Sequence, residues 1–173
     1  MTAALAFATV LAAAAQGPDV AQLMRDACVS TAMRRDAFER LVRERGWRRA
    51  RTTSDSGAPG GWSIFVNGDG ATVMLSYMPE FGADPALGSL CTVTAARAEP
   101  GLEREVEALA GSLDLAAETV TDQPAGFVPM RTWSRFGDRT LTYAAAPDGR
   151  VAVSLSRQIV TEGPDLPPSP GGR

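Results

Sequence analysis

The sequence contains no histidine, and all 17 of its basic residues are arginines, so it contains no lysine either. The first absence excludes a Ser-His-Asp triad, a Cys-His pair and any imidazole metal ligand. The second excludes a Schiff-base lysine, a Walker lysine and kinase-type chemistry. With only two cysteines, a four-thiolate zinc or iron–sulfur site is also out. What remains for catalysis is carboxylate chemistry, tyrosine, a lone thiol, or a metal held by oxygen ligands. The sequence identifies no cofactor and no metal site.

Other residues are scarce for a different reason. Asparagine occurs once, at Asn67, and isoleucine twice, at Ile64 and Ile159, while Ala, Arg, Gly and Pro abound. This bias suits a GC-rich bacterial genome, in which arginine codons displace lysine codons. The formal charge of −3 and the pI near 5.0 speak against a dedicated nucleic-acid binder, which is usually strongly basic. At 173 residues, 45% apolar and 21% charged, the chain has the length and composition of one globular domain.

Residues 1–15 carry no side-chain charge and end in Ala13-Ala-Ala15, before the turn-like Gln16-Gly-Pro-Asp19. Such a stretch is shorter than the ~20 residues a membrane-spanning helix needs. It reads as a secretory signal peptide cut before Gln16, although the basic n-region is missing. A buried N-terminal helix is the alternative. Export makes the chain periplasmic or secreted, with no transmembrane segment in its mature form. Cys28 and Cys91 are too far apart for a redox motif and, in an oxidising compartment, would form one structural disulfide. Residues 16–160 then form a single α+β domain, and the Pro/Gly-rich residues 161–173 a disordered tail.

Along the domain, apolar spacing predicts a helix over 19–31, and a second from Asp36, where Asp36 and Glu39 make a capping-box pattern ended by Gly46; the spacing leaves open two helices or one bent one. A third runs over 100–113, with Leu102, Val106, Leu109, Ala110 and Leu113 in one stripe. Strand signals follow Trp47, Trp62, Val73 and Leu90, then Trp133, Leu141 and Val151. Asp69-Gly70, taken as a two-residue hairpin loop, pairs Ile64 with Leu75 and Trp62 with Tyr77. Pro147-Asp148-Gly149, taken as a three-residue loop, pairs Tyr143 with Val153 and Leu141 with Leu155. The expected fold is α+β: an antiparallel sheet with the N-terminal and central helices packed on one face. Trp62-Ser-Ile-Phe65 resembles Trp133-Ser-Arg-Phe136, which suggests a duplicated α-β-β-β unit.

Two basic clusters are the candidate binding residues. The stretch 34–51 holds eight arginines against Asp36, Glu39 and Glu44, a net +5 that leaves −8 for the rest. Its end, Arg48, Arg49 and Arg51, would suit an anionic ligand or an envelope protein partner, since arginine forks grip carboxylates and phosphates. The bland reading is a solvated helix face with pairs such as Arg40–Glu44 and Glu39–Arg43. The second cluster is Arg131, Trp133 and Arg135 on one strand face. A two-residue turn at Gly137-Asp138 would expose Trp133 as a platform; a three-residue loop would pair it with Tyr143 in the core.

The acidic residues give less. Asp55, Asp69, Asp84, Asp138 and Asp148 fall in turns, where Asp is expected for backbone reasons. Residues 67–71 look superficially like part of a calcium loop but lack its ligand spacing, so a hairpin turn is the better reading. Glu80 has no partner at a recognisable spacing. No catalytic residue is identified. The sequence therefore points to a non-enzymatic exported binding or accessory module. The alternatives are a carrier of a small hydrophobic ligand, which needs a cavity between sheet and helices, and a carboxylate-dependent hydrolase, which needs two acids facing one cleft.

Overall fold

A computed structural model describes residues 18–52, 61–77, 89–118, 130–135 and 139–157. The expected signal peptide, the C-terminal tail, Glu80, Asp55, Asp84 and Asp138 lie outside the described residues. The chain opens with α1 (Val20–Met24), whose cap is Asp19: its carboxylate accepts the Gln22 N–H at 2.7 Å. This supplies a partner for one of the open N–H groups of the first turn. The helix continues as a π-helical segment, Arg25–Val29. The wider turn rotates the apolar stripe, so Ala27 and Cys28 join Val20, Ala21 and Met24 in full burial.

Ala32 and Met33, both with positive φ (50° and 56°), separate this helix from α2 (Arg35–Glu44). Thr31 bridges the corner, donating to the Ala27 carbonyl at 2.5 Å and accepting the Met33 N–H at 3.2 Å. There are thus two helices, not one bent one. The expected capping box does not form. Arg34 is the cap residue and makes no side-chain cap bond, Asp36 lies inside the first turn, and Glu39 pairs with Arg35 at 3.0 Å. Gly46 stops α2 as expected, with φ of 65° and the Trp47 N–H donating to the Val42 carbonyl at 3.0 Å.

Eight strands follow: β1 (Arg48–Thr52), β2 (Gly61–Val66), β3 (Thr72–Tyr77), β4 (Leu90–Ala95), β5 (Ala116–Ala117), β6 (Met130–Arg135), β7 (Arg139–Ala145) and β8 (Val151–Arg157). Helix α3 (Leu102–Ser112) lies between β4 and β5. All strands join one antiparallel sheet in the order β1-β2-β3-β4-β8-β7-β6-β5. The architecture is α+β, as the alternating patterns predicted. Two meanders meet at their last strands, where six residue pairs run from Leu90–Ser156 to Ala95–Val151.

Alternate strand residues divide the sheet into two faces. Phe65, Val73, Leu75, Cys91, Val93, Trp133, Leu141, Val153 and Leu155 are buried in a single cluster with the apolar residues of all three helices. Phe38 of α2 meets Phe65 edge-on at 5.3 Å between ring centroids. Leu102, Val106, Leu109 and Ala110 of α3 join the same cluster.

The three hairpins tested the expected registers differently. At Pro147-Asp148-Gly149 the three-residue loop holds, with Gly149 at φ 88°, Tyr143 opposite Val153 and Leu141 opposite Leu155. At Asp69-Gly70 the loop is one residue longer than expected. The Asn67 carboxamide oxygen accepts the N–H groups of Asp69 (3.2 Å) and Ala71 (2.7 Å), which makes Gly68, Asp69 and Gly70 the loop. Ile64 therefore faces Met74, and Gly61 faces Tyr77. A one-residue slip exchanges the faces, so Phe65 enters the core and Trp62, Ile64 and Val66 turn the other way. Between β6 and β7, Arg135 pairs with Arg139 across a three-residue connection, and Trp133 faces Leu141, not Tyr143.

Cys28 and Cys91, both fully buried, form a disulfide that ties the π-helical segment to β4 across 63 residues of sequence. Closing a loop of that length removes unfolded-state entropy worth about 4 kcal/mol. Replacing both cysteines by alanine is expected to lower the unfolding free energy by about 2–4 kcal/mol and the melting temperature by roughly 10 °C. Chemical and thermal denaturation of the double variant measure both, and an unchanged midpoint would contradict the assignment.

Candidate functional site

The second face of the sheet is built from the residues that alternate with the core. The antiparallel registers align them in three rows across six strands. One row runs Trp62, Ser76, Leu90, Ser156, Thr140, Ser134. The next runs Ile64, Met74, Thr92, Ser154, Thr142, Thr132. The third runs Val66, Thr72, Thr94, Ala152, Ala144, Met130. Met130 is 40% exposed and the others are half-buried, in contrast to the fully buried core set. Not one of these positions is charged, in a chain whose residues are 21% charged. Water-facing surfaces of soluble domains normally carry ~25–35% charged residues.

Hydroxyl groups dominate the middle of this face, and four of them make hydrogen bonds within the chain. Thr92 and Ser154 share a hydrogen bond of 3.0 Å between β4 and β8. Ser156 donates to the Thr140 carbonyl at 3.4 Å, and Ser134 donates to the Glu118 carboxylate at the far edge. Bulk is uneven. Trp62, Ile64, Val66 and Met74 stand on β2 and β3, whereas β8 and β7 carry only Ala, Ser and Thr on this side.

At one end of the face the small residues leave an open cleft of about 520 Å³, floored by Thr72, Thr94, Ala144 and Ala152, with Gly70 and Arg150 at its rim. Arg150 is held by Asp148, whose carboxylate accepts its Nε–H at 2.7 Å and its backbone N–H at 3.1 Å. The backbone bond first, and the guanidinium second, hold the Asp148 carboxyl below its usual 3.8. An adjoining recess of about 380 Å³ is lined by Asp69, Arg97 and Glu99. By contrast, the crevice between helices and sheet, lined by Cys28, Met33, Leu113 and Leu155, measures about 50 Å³. Small-molecule sites usually occupy ~300–1,000 Å³.

The two arginine clusters take other places. Arg48, Arg49 and Arg51 sit on β1, an edge strand, all exposed. The register shifts between Arg49 and Arg51, so the two point to opposite faces: Arg49 lies over the Phe65 ring (5.4 Å) and Arg51 over Trp62 (5.5 Å). Arginines and a bulge on an edge strand are what discourages edge-to-edge pairing. The helical part of the basic stretch is engaged in ion pairs: Arg34 with Asp36 (3.3 Å), Arg35 with Glu39 (3.0 Å) and Arg45 with Asp26 (2.8 Å). These are not the pairs that helical spacing suggested, since Glu39 is taken one turn earlier and Asp26 comes from the preceding segment.

Trp133 is no platform. It is 4% exposed and packed in the core opposite Leu141. Arg131 and Arg135 flank it on the helix side and reach the acidic residues around α3: Arg131 to Glu103 at 2.7 Å, Arg135 to Asp114 at 3.4 Å. The sequence reading missed the uncharged face altogether. Its signal was available: the intervening positions of β7 and β8 are all Ser, Thr or Ala, and those of β3 and β4 are Ser and Thr apart from Met74 and Leu90, with no charge in any of the four.

Among the described residues, no group of three or more Cys, Asp or Glu side chains is placed to hold a metal ion, and no helix is long and apolar enough to cross a membrane. No protein-family model, no curated protein and no solved structure matches the chain.

Two measurements check this geometry. Trp133→Ala is expected to cost about 3–5 kcal/mol of stability, as for a buried aromatic, and Trp62→Ala about 1 kcal/mol or less, since Trp62 is half-buried on the second face. Equal losses in denaturant titrations would contradict the register. The Asp148 carboxyl should titrate below its usual 3.8 by NMR and move back up in Arg150→Ala. Because folding lowers this pKa, the stabilisation is present above the unfolded value and fades as pH falls through the folded one.

Proposed function

We propose that this protein is an exported binding module, working in the periplasm or outside the cell, that uses the uncharged face of its sheet as its contact surface. One observation carries the reading: eighteen half-buried or exposed positions across six strands of one sheet face hold no charge, in a chain whose residues are 21% charged. A surface kept free of charge is suited to being covered. In this reading the three helices cover one face and leave the other for a partner.

Export is supported by the Cys28–Cys91 disulfide, which persists in oxidising compartments, and by the uncharged apolar start of the sequence. Arg51, beside Trp62 at the margin of the face, would add a preference for acidic groups at the rim. The strand order supports a further reading of the chain as two helix-plus-meander units meeting at β4 and β8. The Trp62 and Trp133 motifs do not add to it, because those two residues point to opposite faces of the sheet.

A hydrophobic-ligand carrier is less well supported, since the crevice between helices and sheet is about 50 Å³. Carboxylate hydrolysis would fall to Asp69 and Glu99 in the recess beside the cleft. Asp69 is exposed, however, and a general acid working near neutral pH needs a site that keeps water away from it.

Intact mass of the protein isolated from its native host, before and after reduction and alkylation, tests the exported half of the proposal. Loss of residues 1–15, with thiols that alkylate only after reduction, is the expected result. A retained N-terminus with two free thiols would overturn it. Native mass spectrometry of the same sample would reveal a bound lipid if the carrier reading held.

A further inference from the structure

We propose that the partner of the uncharged face is a second copy of this chain, the two sheets packing face to face about a two-fold axis that runs along the strands between β4 and β8. The inference rests on reading that face as a contact surface and names its occupant.

Charge is the first argument. In a two-fold interface each residue near the axis meets its own counterpart or a near neighbour's. A charge at the centre would therefore face the same charge. A surface matched to a different, charged partner would carry complementary charges, and this one carries none. Among the described residues, the charges on this side stand at its margins, as Arg48 and Arg51 on β1 and Glu118 after β5.

Shape is the second. An axis along the strands lays β2 and β3 of one copy over β6 and β7 of the other. Trp62, Ile64 and Met74 then meet Ser134, Thr132 and Thr142, bulky side chains over small ones, while Val66 meets Met130 at the other end of the strands. Two sheets of identical twist also pack face to face naturally, as the two layers of a sandwich do. An axis across the strands would instead lay β2 on its own copy, with Trp62 over Val66 and Ile64 over Ile64.

Area is the third. Six strands at ~4.8 Å spacing, each presenting six residues at ~3.4 Å rise, offer about 600 Å² per copy. Two copies would bury about 1,200 Å², the lower end of specific interfaces. The association should accordingly be concentration-dependent, with a dissociation constant on the order of micromolar.

Sedimentation velocity of the folded, disulfide-bonded protein between about 1 and 100 µM is the test. The expected result is a mass that doubles with concentration and an association that weakens only modestly in added salt, because the opposite charges the axis brings together, Arg51 of one copy and Glu118 of the other, lie at the exposed margin. Ser154→Arg and Thr92→Glu should each abolish the doubling with an unchanged circular dichroism spectrum. Mixed in equal amounts, they should associate again, since residue 92 of one copy lies over residue 154 of the other. Arg45→Ala, on α2, should leave association unchanged. A wild-type chain that stays monomeric throughout would overturn the inference, as would a folded Ser154→Arg variant that still dimerises. Dimerisation that vanishes in high salt would also overturn it. The mass measurement in the native host is independent of these outcomes, so a monomer would remove the second copy without removing the exported module.

Discussion

The pairing of β4 with β8 is the contact on which the rest of the molecule depends. It joins two meanders that would otherwise be separate four-stranded sheets, each with an open edge at its last strand. Six residue pairs make the join. On the core side they set Cys91 against Leu155 and Val93 against Val153, all buried. On the other side Thr92 and Ser154 share a hydrogen bond. Cys91 also carries the disulfide to the π-helical segment. The central strand is therefore fixed laterally by backbone ladders on both sides and vertically by a covalent bond. With β4 and β8 about 60 residues apart in sequence, this is the longest-range strand pairing of the sheet and carries the largest loop-closure cost among its ladders.

Such a junction cannot be read from local pattern, and the reason is physical. Periodicity reports which residues share a face, but not which strand lies beside which. Where a hairpin loop has one favourable geometry, local reading succeeds. Pro147 and Asp148 suit a type I turn and Gly149 the left-handed position that follows, so the β7–β8 register was legible. At residues 67–71 it was not. Asp69-Gly70 suits a two-residue turn on its own, but the buried Asn67 side chain captures two backbone N–H groups and lengthens the loop by one. That single residue exchanges Trp62 for Phe65 in the core. The cysteines were legible as a pair because only one pairing exists.

The arginines show the converse. Their abundance looked like a recognition surface, yet most that the structure describes have local roles. Arg45 ties α2 to the π-helical segment through Asp26, and Arg131 and Arg135 tie β6 to the region of α3 through Glu103 and Asp114. These pairs are exposed, each worth at most about 1 kcal/mol, so they orient elements that the core already holds. Arg48, Arg49 and Arg51 guard the β1 edge. A chain without lysine must use arginine for all of these tasks, which inflates its apparent signal as an anion binder.

The uncharged face follows a different logic, and its hydroxyls explain how it serves both a solvated and a covered state. A buried hydroxyl without a partner costs about 1–3 kcal/mol. A face of Ser and Thr would then resist being covered. Here Thr92 and Ser154 share one hydrogen bond, Ser156 donates to a backbone carbonyl and Ser134 to Glu118. Water removed from these groups leaves hydrogen bonds in place within the sheet. The cost of covering them is lowered, while the same hydroxyls keep the uncovered face wetted by water and less prone to indiscriminate association than a Leu or Val face would be. Apolar bulk is concentrated on one side, at Trp62, Ile64, Val66 and Met74, with Leu90 and Met130 beyond it, so it supplies area to bury without making the whole face hydrophobic. A surface uncharged across six strands, partly bonded within the sheet and with most of its bulk on one flank, fits a contact that forms and separates, one whose strength comes from shape and whose specificity comes from register.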